Sequence, residues 1–325
     1  MRSTRSIVAG LGVLWLAGLS APALELGDDA PPLSVKKWVK GGPVDLKEGR
    51  GKNIYLIEFW ATWCGPCVRG IPHMTELQKK YKDKGLVVVS ISSADRNLET
   101  VTKFVELMGS KMDYTVGYED KGAAPTDKAY MDGFKKKGIP QCFLVDKKGK
   151  IVWEGNPLLD PDEVIATVVA GEYDIKKLGE IGERAAKRKM EQIEAQEAAM
   201  MKYFQAMAES VDVKANRELG EKTMKLIEGD ADRLNEFAWR ILADEGLKGR
   251  DLELALRAGK AANDLTKGED FTTLDTYARA LFDNGKVKEA IETQKKAVEL
   301  VSASKDVRKE FEETLKKYQD AEKKP

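Results

Sequence analysis

The sequence predicts an α/β unit followed by an all-α unit. Strand-like and helix-like segments alternate between about residues 54 and 170. From Tyr173 onward no strand pattern returns, and charged residues alternate with Ala, Leu and Met. A third observation, Trp63-Cys64-Gly65-Pro66-Cys67 where a strand-like run gives way to a helix-like one, indicates the chemistry the first unit can carry.

At 325 residues the chain is long for one core, and the size prior suggests roughly two domains. The expected division is a leader over 1–23, an α/β domain over 24–172, a helical linker over 173–212 and a helical repeat domain over 213–325. Lys and Arg number 54, as do Asp and Glu, so charge supplies no reason to expect nucleic acid or an anionic surface as partner.

The leader has Arg2 and Arg5 before an apolar run from Ile7 to Leu19, then Ala21-Pro22-Ala23. This reads as a secretory signal peptide cut after Ala23. The run is shorter than the roughly 20 apolar residues of a spanning helix; an uncleaved N-terminal anchor is the alternative. No later stretch could span a membrane, so the mature protein is expected to be exported to a compartment where disulfides persist.

In the α/β unit, Trp38, Gly41-Gly42-Pro43 and Val44-Asp45-Leu46 suggest a short hairpin ahead of the main sheet. Ile54 to Trp60 is apolar except for Glu58, as expected for a central strand covered on both faces. A helix should run from the CxxC through Tyr81, kinked at Pro72. Leu86 to Ile91 is a second buried strand, and Leu98 to Met108 has helical spacing. Tyr114 to Tyr118 suggests a short strand and Thr126 to Lys136 a helix, before Gly138-Ile139-Pro140. Gln141–Asp146 and Lys150–Glu154 flank Lys147-Lys148-Gly149 as a hairpin. Asp160-Pro161-Asp162-Glu163 reads as a helix start with Asp160 as cap, and Gly171 as its stop near Ala170.

The helical half opens with Met190, Ile193, Met200, Phe204, Met207 and Val211 on three- and four-residue steps interrupted by Glu197, a seam expected to pack on its own chain, with pairing to a second copy as the alternative. Farther on, Ala238, Arg240, Leu242, Asp244 and Gly246 recur as Tyr277, Arg279, Leu281, Asp283 and Gly285. Ala255, Leu256, Ala262 and Leu265 recur as Ala290, Ile291, Ala297 and Leu300. A helix, a glycine turn and an alanine-rich second helix at this period resemble tetratricopeptide units. Two units are fewer than a stack usually needs, so Lys214 to Ile227 or the C-terminal helix should complete it.

Only Cys64, Cys67 and Cys142 carry thiols. Closing so short a loop as Cys64–Cys67 removes little unfolded-state entropy, which makes a poor staple and a good exchangeable disulfide. Cys64, at the start of the helix, should be the exposed nucleophile: a helix N-terminus can lower a thiol from near 8.5 to about 7. Cys67, one turn inside, would resolve a mixed disulfide. The competing reading, half of a zinc site, needs ligands the chain does not offer beside this pair; His73 should lie on the far side of the helix as a surface or packing residue. No metal and no cofactor is expected. Cys142 is expected to be a small buried hydrophobe with a free thiol.

The run Glu58-Phe59-Trp60-Ala61-Thr62-Trp63-Cys64-Gly65-Pro66-Cys67, with Pro72, Gly138-Ile139-Pro140 and the glycine of Trp153-Glu154-Gly155, resembles thioredoxins in order and content. The inserted helix Leu98 to Met108 and the ending Phe143-Leu144-Val145-Asp146-Lys147-Lys148-Gly149 resemble the exported TlpA/ResA branch, over about residues 30 to 172. The resemblance implies a thioredoxin-like fold, a central mixed sheet flanked by helices, and thiol-disulfide exchange with partner proteins in a bacterial periplasm. It implies a cis Ile139-Pro140 facing the CxxC and presenting a backbone edge to substrate, with Trp63, Gly65, Pro66 and Ile139 lining that contact. It places Glu58 where thioredoxins carry a buried aspartate, which would trade a proton with Cys67. Gly65-Pro66, shared with thioredoxins, points toward a reductant recharged by an upstream thiol-redox partner, with the repeats selecting the protein client. The alternative is a tetratricopeptide-type binding protein or metallochaperone using the first domain as a platform. Peroxidase chemistry lacks its Pro-x-x-x-Thr-x-x-Cys pattern before Cys64.

Overall fold

The structure, a computed structural model, describes residues 23–159, 161–301 and 305–323. The leader ahead of Ala23 and the capping role expected of Asp160 lie outside the described residues.

One six-stranded sheet organises the first half, with β1 (Lys37–Lys40), β2 (Ile54–Trp60), β3 (Leu86–Ser92), β4 (Thr115–Tyr118), β5 (Gln141–Val145) and β6 (Ile151–Gly155) in the order β1-β4-β3-β2-β5-β6. β2 runs parallel to β3, and β3 to β4, while β5, β6 and β1 pair antiparallel to their neighbours. This is the mixed sheet expected of a thioredoxin-like fold. All seven residues of β2 are buried, because both faces are covered. Ile54, Leu56 and Trp60 point into one core with α1 (Gly65–Tyr81), while Tyr55, Ile57 and Phe59 enter the opposite core. Glu58, by strand alternation, lies on the α1 face.

α2 (Leu98–Met108) matches the expected inserted helix and is capped by Asn97, which accepts from the Thr100 N–H. The hairpin expected within residues 24–53 is absent: β1 crosses to pair with β4, and Val44-Asp45-Leu46 forms no strand. Local turn residues indicated a chain reversal there, but β1 found its partner about 80 residues away. The helix expected over Thr126 to Lys136 is reduced to a turn, α3 (Pro125–Asp127), followed by a π-helical turn over Lys128–Asp132. Its Tyr130 still reaches the core and donates to the Pro31 carbonyl at 2.8 Å. α4 (Asp162–Ala170) ends at Gly171, whose φ of +91° explains why glycine stands there.

α5 (Ile175–Glu209) is one 35-residue helix that belongs to both halves. Leu178 is buried in the α1-side core of the sheet, a contact worth about 2 kcal/mol by area. Gly182 lies under Trp153, so a Cβ there would come within 2.4 Å of the indole nitrogen. Only glycine lets the helix backbone approach so closely. Farther along, Met200, Tyr203, Phe204 and Met207 enter a second core with α7 (Ala231–Ala243) and α8 (Leu252–Leu265). The expected seam is thus buried at its centre on its own chain, while Met190 and Val211 at its ends stay exposed.

α6 (Val213–Leu226), α9 (Phe271–Asp283), α10 (Val287–Leu300) and α11 (Lys305–Glu322) complete an all-helical half of seven described helices. α7 with α8 and α9 with α10 form the two expected helix pairs. Ala255, Ala262, Ala290 and Ala297 are fully buried where these helices approach, and small residues at such seams let backbones close up. Asp212, Asp230, Asp251 and Asp270 cap α6 to α9 in turn, each accepting from backbone N–H groups of the first turn. No described helix is long and apolar enough to cross a membrane.

Candidate active site

Cys64 is the N-cap of α1, delivered there by the end of β2 through Ala61-Thr62-Trp63. A disulfide joins it to Cys67, with Cα atoms 5.2 Å apart. The Cys67 N–H points at Cys64 Sγ at 3.2 Å. Once the bond is reduced, that N–H and the positive end of the helix favour a thiolate at Cys64 over a thiol. The sequence expectation of an exposed Cys64 needs correction: it is 5% exposed against 1% for Cys67, because both pack in the core cluster with Trp60, Ala61 and Ile71. Cys64 is the more open of the two by a narrow margin.

The structure brings Ile139-Pro140 to this pair. Their peptide bond is cis, and the Ile139 carbonyl oxygen lies 3.9 Å from Cys64 Sγ. Gly65 and Pro66 are exposed, and Trp63 is 64% exposed with its indole N–H donating to the Ala94 carbonyl at 3.3 Å.

On the α1 side of the sheet, register sets one row: Cys142, Glu58 and Ser90 on β5, β2 and β3. Glu58 is buried and accepts a hydrogen bond from the Ser90 hydroxyl at 2.6 Å. Burial pushes the carboxyl up to about 7, against the opposing pull of that hydroxyl. Cys142 is a free, buried thiol donating to the Gly155 carbonyl at 3.1 Å, and burial, then the Glu58 and Glu154 charges, push it well above the ordinary thiol range. His73 is half-buried on the flank of α1, its Nε2 3.4 Å from Asp162. Among the described residues no cluster of three or more His, Cys, Asp or Glu is placed to hold a metal.

Two contributors were missed in the sequence. Ser90 sits inside an apolar strand and reads there as ordinary. Asp95, in the loop after β3, is buried and accepts from the Thr62 N–H and hydroxyl at 3.0 and 2.5 Å and from the Ser92 hydroxyl at 2.7 Å. An acid in a polar loop carries no signal by itself; its role appears only when β2 and β3 lie side by side.

Residues 25–168 match the Redoxin family model. The thiol-disulfide oxidoreductases ResA of Bacillus thuringiensis (strain Al Hakam) and Bacillus anthracis are each 33% identical over 129 residues, covering 40% of this chain and 68% of theirs. The chain belongs to the thioredoxin-like ResA family. Its activity is accordingly thiol-disulfide oxidoreduction. ResA of Geobacillus kaustophilus is 31% identical over the same length and shares. Among solved structures, the thiol:disulfide interchange protein DsbE of Chlorobium tepidum is 31% identical, covering 46% of this chain and 98% of that one with a TM-score of 0.38. The Redoxin match ends at residue 168, and the helical half of this ResA-type chain lies outside it.

Proposed function

We propose that this ResA-type protein reduces disulfides of partner proteins in an exported compartment, the bacterial periplasm, and that its helical half selects the partner. The reading rests on the placement of Cys64 at the start of α1 against the Ile139 carbonyl, with Glu58 buried on the α1 face of β2. The Cys64 thiolate attacks one sulfur of the partner's disulfide; a mixed disulfide forms and the partner's other sulfur leaves as thiolate. Cys67, giving its proton to Glu58, then attacks Cys64 Sγ, so the partner departs as a dithiol and the Cys64–Cys67 bond carries the two-electron oxidation. An upstream thiol partner restores the dithiol.

Each site residue has a role in this scheme. Pro140 and Ile139 offer a backbone edge to the extended substrate segment, and Trp63, Gly65 and Pro66 form the surface it meets. Glu58 suits proton exchange near neutral pH because its carboxyl stands at about 7. Export is supported by the leader pattern ending at Ala23. The functional units of this proposal are residues 24–172 for exchange, 173–212 as the joining helix and 213–325 as the partner-selecting repeat.

Reduction of insulin by the full chain, with Cys64→Ser as control, tests the activity. Wild-type turnover abolished by Cys64→Ser is the expected result; absence of wild-type turnover would favour a platform role. Trapping Cys67→Ser in the native compartment as a mixed disulfide would name the client. A trap that forms equally well with residues 213–325 deleted would remove the selecting role.

A further inference from the structure

Asp95 is a buried acid that the exchange scheme does not use. Its 1% exposure is unusual for a loop carboxylate, since removing that group from water costs several kcal/mol unless donors compensate. Three donors do: the Thr62 N–H at 3.0 Å, the Thr62 hydroxyl at 2.5 Å and the Ser92 hydroxyl at 2.7 Å. The same loop supplies the Ala94 carbonyl that receives the Trp63 indole N–H at 3.3 Å. Two consecutive residues on the loop after β3 thus grip two consecutive residues ahead of Cys64, and the second of these is the 64% exposed ring. Without the Asp95 clamp, the Thr62 backbone and the Trp63 ring would lose their fixed position at the lip of the site. A misplacement of about 1 Å can cost on the order of 100-fold in a positioned reaction.

We propose that Asp95 is a positioning residue that sets preference for polypeptide disulfides by holding Trp63 where a client segment meets it. This rests on the exchange reading given above. A small disulfide presents no segment to Trp63 and needs only the Cys64 sulfur, whereas a protein disulfide is presented along the lip. Loss of Asp95 should therefore separate the two substrates, which a purely structural role would not do.

The test uses the pre-reduced full chain in single turnover, with insulin and 5,5′-dithiobis(2-nitrobenzoate) as the two probes. Asp95→Asn should lower the ratio of the insulin rate constant to the small-disulfide rate constant about tenfold. Trp63→Ala should lower the same ratio, and adding Asp95→Asn to it should change the ratio no further. An unchanged ratio in Asp95→Asn, or an undiminished effect in the Trp63→Ala background, overturns the positioning role. Should Asp95→Asn not fold, Thr62→Val removes one donor and leaves Asp95 its other two; the ratio should shift the same way by less, and an unshifted ratio is again fatal. Failure of the wild type on both probes would instead bring down the exchange reading itself.

Discussion

Each half of the molecule buries an acid, and the two are handled in opposite ways. Asp251, in the helical half, accepts two N–H groups of Arg217, each at 2.9 Å, and caps α8 by accepting from the Leu254 N–H at 3.0 Å. Glu58, in the sheet, has the Ser90 hydroxyl and, among the described residues, no cation at hydrogen-bond distance. A buried carboxylate with a bidentate guanidinium is paired, and here the pair fastens α6 to the start of α8. One without a counter-ion instead holds its proton up to about pH 7. The difference is one of compensation: a cation and a backbone N–H meet the buried acid of the helical half, and a single hydroxyl meets the one in the sheet.

The sharpest break between the halves is expected from Cys64→Ser. Loss of a nucleophile should lower disulfide exchange by on the order of a thousandfold or more. Insulin reduction measures the loss, while the far-ultraviolet circular dichroism of the helical half should be unchanged.

The next effect is a pH dependence. Glu58 rises from 4.5 in the unfolded chain to about 7 when folded, so the folded state holds the extra proton between those values. The stability tied to that proton is fully present below about pH 4.5 and is lost as pH rises through about 7, amounting to about 3 kcal/mol over the window. Urea titrations at pH 5 and pH 8 should show that decline in the wild type and a much flatter response in Glu58→Gln. Equal slopes in the two proteins would mean that Glu58 is not buried as a neutral acid.

Arg217→Ala is the counterpart in the helical half. It leaves Asp251 buried without its cation, so the urea midpoint should fall, by less than for a fully buried pair because Arg217 is itself partly exposed. Exchange with 5,5′-dithiobis(2-nitrobenzoate) should keep its rate and its pH profile. A changed pH profile would show that the two acids are not separated as their partners suggest.

The redox half was legible in the sequence because its signals are local. Cys64 and Cys67 share one turn, Ile139-Pro140 immediately precedes β5, and Leu98 to Met108 carries its own helical period. What was not legible depends on contacts between distant segments. Lys37–Lys40 is a strand only because Thr115–Tyr118 pairs with it. Leu178 and Gly182 look like ordinary residues of a helical region, yet they pack against the sheet and Trp153. Asp95 matters because β2 and β3 end together, a fact of register that no residue in its own loop announces.

The smallest effect probes the second attachment between the halves. Lys111 follows α2 in the turn Gly109–Met112, and its carbonyl accepts from the Thr75 hydroxyl of α1 at 2.6 Å. Its ammonium forms an ion pair with Asp270, the cap of α9, and sits 5.7 Å from the Phe271 ring centre. The redox helix is thus linked to the helical half at a point remote in sequence from α5. Burial would raise Asp270, but the Lys111 charge and hydrogen bond, with the cap donors, outweigh it and hold the carboxyl below its usual range. Its stabilising contribution is therefore present above the unfolded carboxylate pKa and disappears as pH falls through the lower folded one. Both groups keep some contact with water, so a double-mutant cycle on Lys111→Met and Asp270→Asn should give a coupling of about 1 kcal/mol or less at pH 7. Asparagine is the right replacement because it retains the cap to Thr272 and Thr273 and removes only the charge. Zero coupling would leave α5, through Leu178 and Gly182, to hold the two halves in register.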